Sequence, residues 1–302
     1  NDFSHLLKYT NVSSCEISNN LSIYGINGLK VSKNVDNLPF WWKTFWCFTA
    51  FVLISRPYIN LMNNERPLIL ISNDDGYRAR GINFVAELLS TFADVVVMAP
   101  EGGRSGMGCA ITSKEPVYYS LVSEHEHLSV YRCSGTPVDC IKMALHELFP
   151  ERLPDLIVGG INHGDNSGVN VHYSGTMGIV IEGCMKGIPS VGFSLDNHAP
   201  DADFEPCAPY VLKIVEQVLE RGLPNGTCLN VNFPATPQYE GVKVCRAARG
   251  EWTQEWEEHP HPRGGNYFWL VGSFCLRDEH PHDADRPNLT EGFVAVTPIQ
   301  ID

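Results

Sequence analysis

Several things are missing from this sequence, and each absence narrows what the chain does. None of its ten cysteines forms a Cys-x-x-Cys pair, which removes zinc ribbons and thioredoxin-type redox pairs. Basic residues are scarce: 22 Lys and Arg against 35 Asp and Glu leave a formal net charge of −13. A protein that coats a nucleic acid polymer needs the opposite balance. An apolar run of the roughly 20 residues that span a bilayer as a helix is also lacking. The stretch that stands out, Phe40 to Ile54 (FWWKTFWCFTAFVLI), has only 15 residues and carries Lys43. What is present is a hydrophobic fraction of 43% over 302 residues, enough for a substantial core and incompatible with wholesale disorder.

Charge is unevenly spread. Residues 1–61 hold three acids and five bases, whereas the remaining 241 hold 32 acids and 17 bases. The leading segment is rich in Asn and Ser and shows no sustained period of 3.6 or 2. Forty residues before Phe40 are too many for a signal-peptide n-region, and no A-x-A site follows. Residues 1–61 therefore read as an extension outside the functional domain, with no membrane contact expected from residues 40–54. The scattered cysteines read as reduced thiols of a cytoplasmic protein.

After Met62 apolar strands alternate with amphipathic helices. Pro67–Ser72 (PLILIS) is a continuous apolar run, as expected of a parallel strand covered on both faces. Ile82, Val85, Leu88 and Leu89 follow at helical spacing, then the apolar run Val95–Ala99. Short strands are expected at Val117–Tyr119 and Leu128–Arg132, and a helix at Pro137–Phe149 with Thr136 as its cap. Leu156–Gly159, Ser190–Ser194 and Leu229–Asn232 read as further strands; Gly175–Lys186 and Ala208–Glu220 read as helices. The fold class is α/β, a three-layer αβα arrangement around a mostly parallel sheet. From about 240 to 290 the alternation gives way to strand-like runs between polar turns, read as a β-hairpin or arm.

Three loops follow strands and carry chemistry. The first is Ser72-Asn73-Asp74-Asp75-Gly76. Ligands of open parallel sheets bind at the carboxyl ends of strands, and adjacent carboxylates there repel unless a cation or proton intervenes. Oxygen ligands suit a hard ion such as Mg²⁺ or Mn²⁺. The same residues also make a solvated Asn-Asp-Asp-Gly turn, and the motif alone leaves both readings open. The second loop, Glu101 to Gly108, offers backbone N–H groups and the Ser105 hydroxyl, but matches neither GxGxxG nor a Walker A sequence. The third, Gly159 to Asn166, supplies Asn162 and Asn166. Ser174-Gly175-Thr176 then opens a helix, whose free N–H groups suit a phosphate. Converging on one rim, these elements describe a metal-dependent phosphate site suited to phosphoester hydrolysis.

Five motifs in order resemble the survival protein E (SurE) nucleotidases: Ser72-Asn73-Asp74-Asp75-Gly76, Arg104-Ser105-Gly106, Gly135-Thr136-Pro137-Val138-Asp139-Cys140, Gly160-Ile161-Asn162-His163-Gly164-Asp165-Asn166 and Tyr173-Ser174-Gly175-Thr176. The resemblance covers roughly residues 66 to 302. It implies a Rossmann-like fold and metal-dependent hydrolysis of nucleoside 5′- and 3′-monophosphates by metal-activated water. It also implies a homodimer or homotetramer built partly through C-terminal arms. One divalent ion, Mg²⁺ or Mn²⁺, would be held by Asp74, Asp75, Ser105 and Asn162, with Asp74 also orienting or deprotonating the attacking water. Asn73, Gly106, Asn166, Ser174, Gly175 and Thr176 would lie near the phosphate. Trimming of short polyphosphate, or nucleotide binding without turnover, are the alternatives. Family chains begin just before the first strand, which makes Met62 the expected initiator and 62–302 the nucleotidase domain. Of the histidines, the two His-Pro-His triplets fit exposed turns, whereas His163 is the candidate proton donor to the leaving group.

Overall fold

A computed structural model of the chain describes residues 12–16, 22–25, 30–32, 66–278 and 281–302. The segment 40–54 lies outside the described residues. Two compact units divide at Asn63/Asn64. In the first, β1 (Val12–Glu16), β2 (Ser22–Gly25) and β3 (Lys30–Ser32) form an antiparallel sheet.

The second unit is built on a nine-stranded sheet. In chain order its elements are β4 (Leu68–Ser72), α1 (Arg80–Ser90), β5 (Asp94–Pro100), β6 (Tyr119–His125), β7 (Leu128–Cys133), α2 (Pro137–Glu147), β8 (Leu156–His163), α3 (Gly175–Met185), β9 (Ser190–Leu195), α4 (Ala208–Arg221), β10 (Thr227–Phe233) and β11 (Gly241–Val244). There follow β12 (Gly250–Thr253), β13 (Trp256–Pro260), β14 (Asn266–Leu270), β15 (Ser273–Leu276), α5 (Asp285–Thr290) and β16 (Phe293–Gln300). The sheet order is β11-β16-β10-β9-β8-β4-β5-β7-β6. The six strands from β10 to β7 are mutually parallel, while β16 and β6 flank them antiparallel.

Alternation along the strands sorts the core into two layers. Ile69 and Ile71 pack with Ile82, Val85 and Leu89 of α1 and Val211, Val215 and Val218 of α4. Leu70, between them in sequence, packs on the opposite face with Ile141 and Ala144 of α2 and Met177 and Val180 of α3. This is the period-2 logic of a strand buried on both sides. Thr136 caps α2 through a reciprocal bond pair with Asp139, and Pro137 fills the first turn, as the residue types require.

From β4 the chain moves one way to β5 and β7, and then returns to the other side for β8, β9 and β10. The reversal lies between β4 and β8, so the crevice at their carboxyl ends is the switch point of the sheet. The region expected as an arm consists of two small antiparallel pairs, β12–β15 and β13–β14, outside the main sheet. Its base is tied back to the rim. Asp285, fully buried, accepts hydrogen bonds from Gly168 N (3.0 Å), Ala248 N (2.9 Å) and Thr297 Oγ1 (3.4 Å).

Candidate active site

The carboxylate pair stands where β4 ends. Asn73 is fully buried; its Nδ2 donates to Gly76 O (3.0 Å) and its Oδ1 accepts from Gly76 N (3.1 Å). Both polar ends of Asn73 thus fasten the turn that presents Asp74 and Asp75.

Asp74 is only 4% exposed. Thr176 donates its hydroxyl to Asp74 Oδ1 at 2.7 Å, and the Gly175 N–H donates to the same carboxylate. The free N–H of α3 therefore serves Asp74 first, which uses the helix N-terminus to steady a buried anion. Gly175 makes the approach possible: a Cβ there would stand 2.7 Å from Asp74 Cβ and 2.9 Å from Oδ2. Burial dominates the electrostatics and raises the Asp74 carboxyl to about 6; the Thr176 bond opposes the rise and the neighbouring Asp75 adds to it. Asp75 is also raised by burial, offset by the His163 N–H (3.2 Å to Oδ2) and by the His163 and His198 side chains.

The other expected ligands come from loops fixed against this pair. Arg104 N donates to Asp74 O (2.6 Å) and Gly108 N to Tyr173 O (2.9 Å). The exposed Ser105-Gly106-Met107 stretch is therefore pinned at both ends, Ser105 next to the Asp74 anchor. Asn162 lies near the carboxyl end of β8, beyond an irregularity in the pairing with β9. Its Nδ2 donates to Gly164 O (2.8 Å), which leaves Oδ1 as the atom offered to a cation. Asn166 Nδ2 donates to Ser194 Oγ, while its backbone is held by Asn232 and Asn230, each bond 2.8 Å long. Ser174 Oγ accepts from Met177 N (3.0 Å) and caps α3.

These residues fit a hard divalent cation. A buried carboxylate and a half-buried one stand side by side in sequence and repel one another, with no lysine or arginine paired to either among the described residues, and two neutral oxygens stand in adjoining loops. Among the described residues no cluster of three or more His, Cys, Asp or Glu is arranged to hold a metal. The candidate set is two carboxylates supplemented by Ser and Asn, the oxygen-rich composition that Mg²⁺ and Mn²⁺ accept.

Thr176, expected beside the phosphate, is fully buried with its hydroxyl bonded to Asp74, and one residue at this rim carries no motif in the sequence. His198, just past β9, packs its ring over Gly164, where a Cβ would meet Cε1 at 2.1 Å. The available signal was its place after a strand end on the same rim. His163 lies edge-on to Phe204, ring centroids 5.1 Å apart. The described His-Pro-His residues belong elsewhere: His259 stacks on Tyr267 at 5.5 Å and His261 Nδ1 accepts from Arg263 N. The eight cysteines from Cys109 onward are free, and no described helix is long and apolar enough to cross a membrane.

A doubly wound sheet with paired carboxylates at its switch point defines an α/β protein with a cation-ready rim. Comparison with known proteins takes the assignment further. Residues 69–254 match the model of the survival protein SurE family. The 5′-nucleotidase SurE of Phocaeicola vulgatus is 58% identical over 241 residues, covering 80% of this chain and 93% of that protein. The 5′-nucleotidase SurE of Bacteroides thetaiotaomicron is 56% identical at the same coverage. The crystal structure of the SurE protein from Aquifex aeolicus superposes with a TM-score of 0.68 at 33% identity, over 78% of this chain and 94% of that one. The chain belongs to the SurE family.

Proposed function

We propose that residues 62–302 form a divalent-metal-dependent phosphatase that converts nucleoside 5′-monophosphates, and also 3′-monophosphates, to nucleoside and phosphate. The observation that carries this reading is the Asp74–Asp75 pair at the switch point, Asp74 buried and Asp75 half-buried, with no lysine or arginine paired to either among the described residues. Relatives named 5′-nucleotidase SurE match at 53–58% identity over 93–94% of their length, which supports the substrate class.

In this reading Asp74, Asp75, Ser105 and Asn162 hold one ion, Mg²⁺ or Mn²⁺. A divalent ion bound there supplies the Lewis acid that polarises the phosphoryl group and makes water a competent nucleophile near neutral pH. Thr176 and Gly175 fix the Asp74 carboxylate so that it orients the attacking water and accepts its proton. His163 stands beside Asp75 as the donor to the leaving oxygen. The decisive assay is phosphate release from nucleoside monophosphates before and after chelation. Release stops in EDTA and returns with Mg²⁺ or Mn²⁺; metal-independent release, or none under any condition, refutes the assignment. Release from short polyphosphate alone would favour that alternative.

The setting is proposed to be cytoplasmic and the assembly a homodimer or homotetramer. The β13–β14 pair supports association: Trp256, Phe268, Trp269 and Leu270 are all exposed, Trp269 by 61%. A lone two-stranded hairpin showing that much apolar surface is marginal without a partner. Sedimentation equilibrium should give two or four times the chain mass, and a concentration-independent monomer would exclude it.

A further inference from the structure

The site described above accounts for a phosphate and a cation, and it is polar and acidic throughout. A nucleoside monophosphate also presents a flat, largely apolar base that needs its own surface. Tyr173 and Met107 are large apolar residues that remain exposed at this rim, 61% and 38% respectively. Single exposed apolar residues need no explanation. These two differ because the loop that carries Met107 is bonded through its flanking residues to Asp74 at one end and to Tyr173 at the other. The segment between Arg104 and Gly108 is anchored at one end on Asp74 O and at the other on Tyr173 O. Moving along it, the chain passes from the carboxylate side (Ser105) to the tyrosine side (Met107).

Tyr173 has a rigid mount as well. Its N–H donates to Asn170 O (3.0 Å) and its carbonyl accepts from Gly108 N (2.9 Å). The next residue, Ser174, caps α3. Gly175, which donates to Asp74, is only two residues from Tyr173, so their Cα atoms are at most about 7 Å apart. An aromatic side chain on a fixed backbone, one short step from the carboxylates, costs little entropy to use as a binding platform.

We infer that Tyr173, flanked by Met107, is the platform on which the substrate's base stacks, and that it confers preference for nucleotides over base-free phosphomonoesters. The inference rests on the phosphatase reading above. Stacking of a base on an aromatic ring tolerates any base, because each has a π-face, so this platform selects the presence of a base and not its identity. Met107, on the loop whose end is bonded to the Tyr173 carbonyl, adds a soft, adaptable thioether suited to the same role.

The test compares AMP with ribose 5-phosphate, which keeps sugar and phosphate but lacks the base. For wild type, kcat/KM is expected to be at least about tenfold higher for AMP. Tyr173→Ala should lose about tenfold or more on AMP, chiefly through KM, with ribose 5-phosphate turnover moving less than twofold. Tyr173→Phe should retain the preference, since stacking needs the ring and not the hydroxyl. Inhibition by adenosine, which has no phosphate, should weaken in parallel in Tyr173→Ala. Equal losses on both substrates would show a merely structural role and overturn the inference, as would a wild type indifferent to the base. If wild type releases phosphate from neither substrate with metal present, the phosphatase reading has failed, and the platform falls with it.

Discussion

Asp74→Asn is expected to lower kcat by about 10²–10³-fold or more, the scale of removing one preorganised charged group from a reacting centre. Asp75→Asn should act in the same direction, with both variants remaining folded. The isosteric change keeps an acceptor for Thr176 and Gly175 while deleting the charge that holds the cation. The same substitution should have the opposite effect on stability in the metal-free protein. Burial raises the Asp74 carboxyl from 3.8 to about 6, so between those values the folded state binds a proton that the unfolded chain has released. Metal-free stability therefore rises as pH falls through that window, and the full penalty, about 3 kcal/mol, is present above it. Thermal unfolding in EDTA should show Asp74→Asn above wild type at pH 7.5, the gap closing toward pH 4. Adding a divalent ion should favour wild type, because only its site binds it strongly. Full activity in Asp74→Asn, or a pH-independent difference in melting, would remove Asp74 from the role given to it.

Gly175→Ala carries the second large effect. Alanine is the better helix former by about 1 kcal/mol in a helix interior, so propensity alone gives no reason for harm. The added Cβ, however, falls 2.7 Å from Asp74 Cβ, well inside carbon–carbon contact, and the atom it meets is not a flexible side-chain end. Either α3 or the Asp74 loop must shift. A displacement near 1 Å at a reacting group costs about 10²-fold, so kcat should fall by that order with the circular dichroism spectrum unchanged. Activity within twofold of wild type would show that the contact relaxes without cost.

The alternating core was legible because each central strand is a short apolar run bounded by turn residues. Ile69, Leu70 and Ile71 announce a strand covered on both faces whatever surrounds them, and Thr136-Pro137 announces a helix start. Other elements were hidden for physical reasons. β8 continues through Gly159-Gly160-Ile161-Asn162-His163, where paired glycines and polar residues end any apolar pattern; its pairing with β9 supplies what the local sequence does not. β6 occupies Tyr119–His125, beyond the expected Val117–Tyr119, because its residues lie at a sheet edge and are mostly exposed. Within the site, motif order pointed to loops that the fold brings to one rim, but not to the division of labour inside them. Whether Asn73 or Thr176 faces substrate or supports a carboxylate depends on Gly76 and Asp74 respectively, and only the fold shows which way each side chain is committed.

Asp285 bears on how such a protein changes over time. One buried carboxylate serves the amide of Gly168, next to the Asn166 loop, and the amide of Ala248, at the root of the arm. Its neighbour Arg286 reaches Asp165 at 3.2 Å in that same loop. The arm is consequently not a detachable module. Grafting the arm of a relative onto this chain, or trimming it back, also rewrites the scaffolding of the catalytic rim. Residues 165–168, 246–249 and 285–286 should therefore be inherited together, as one unit of variation.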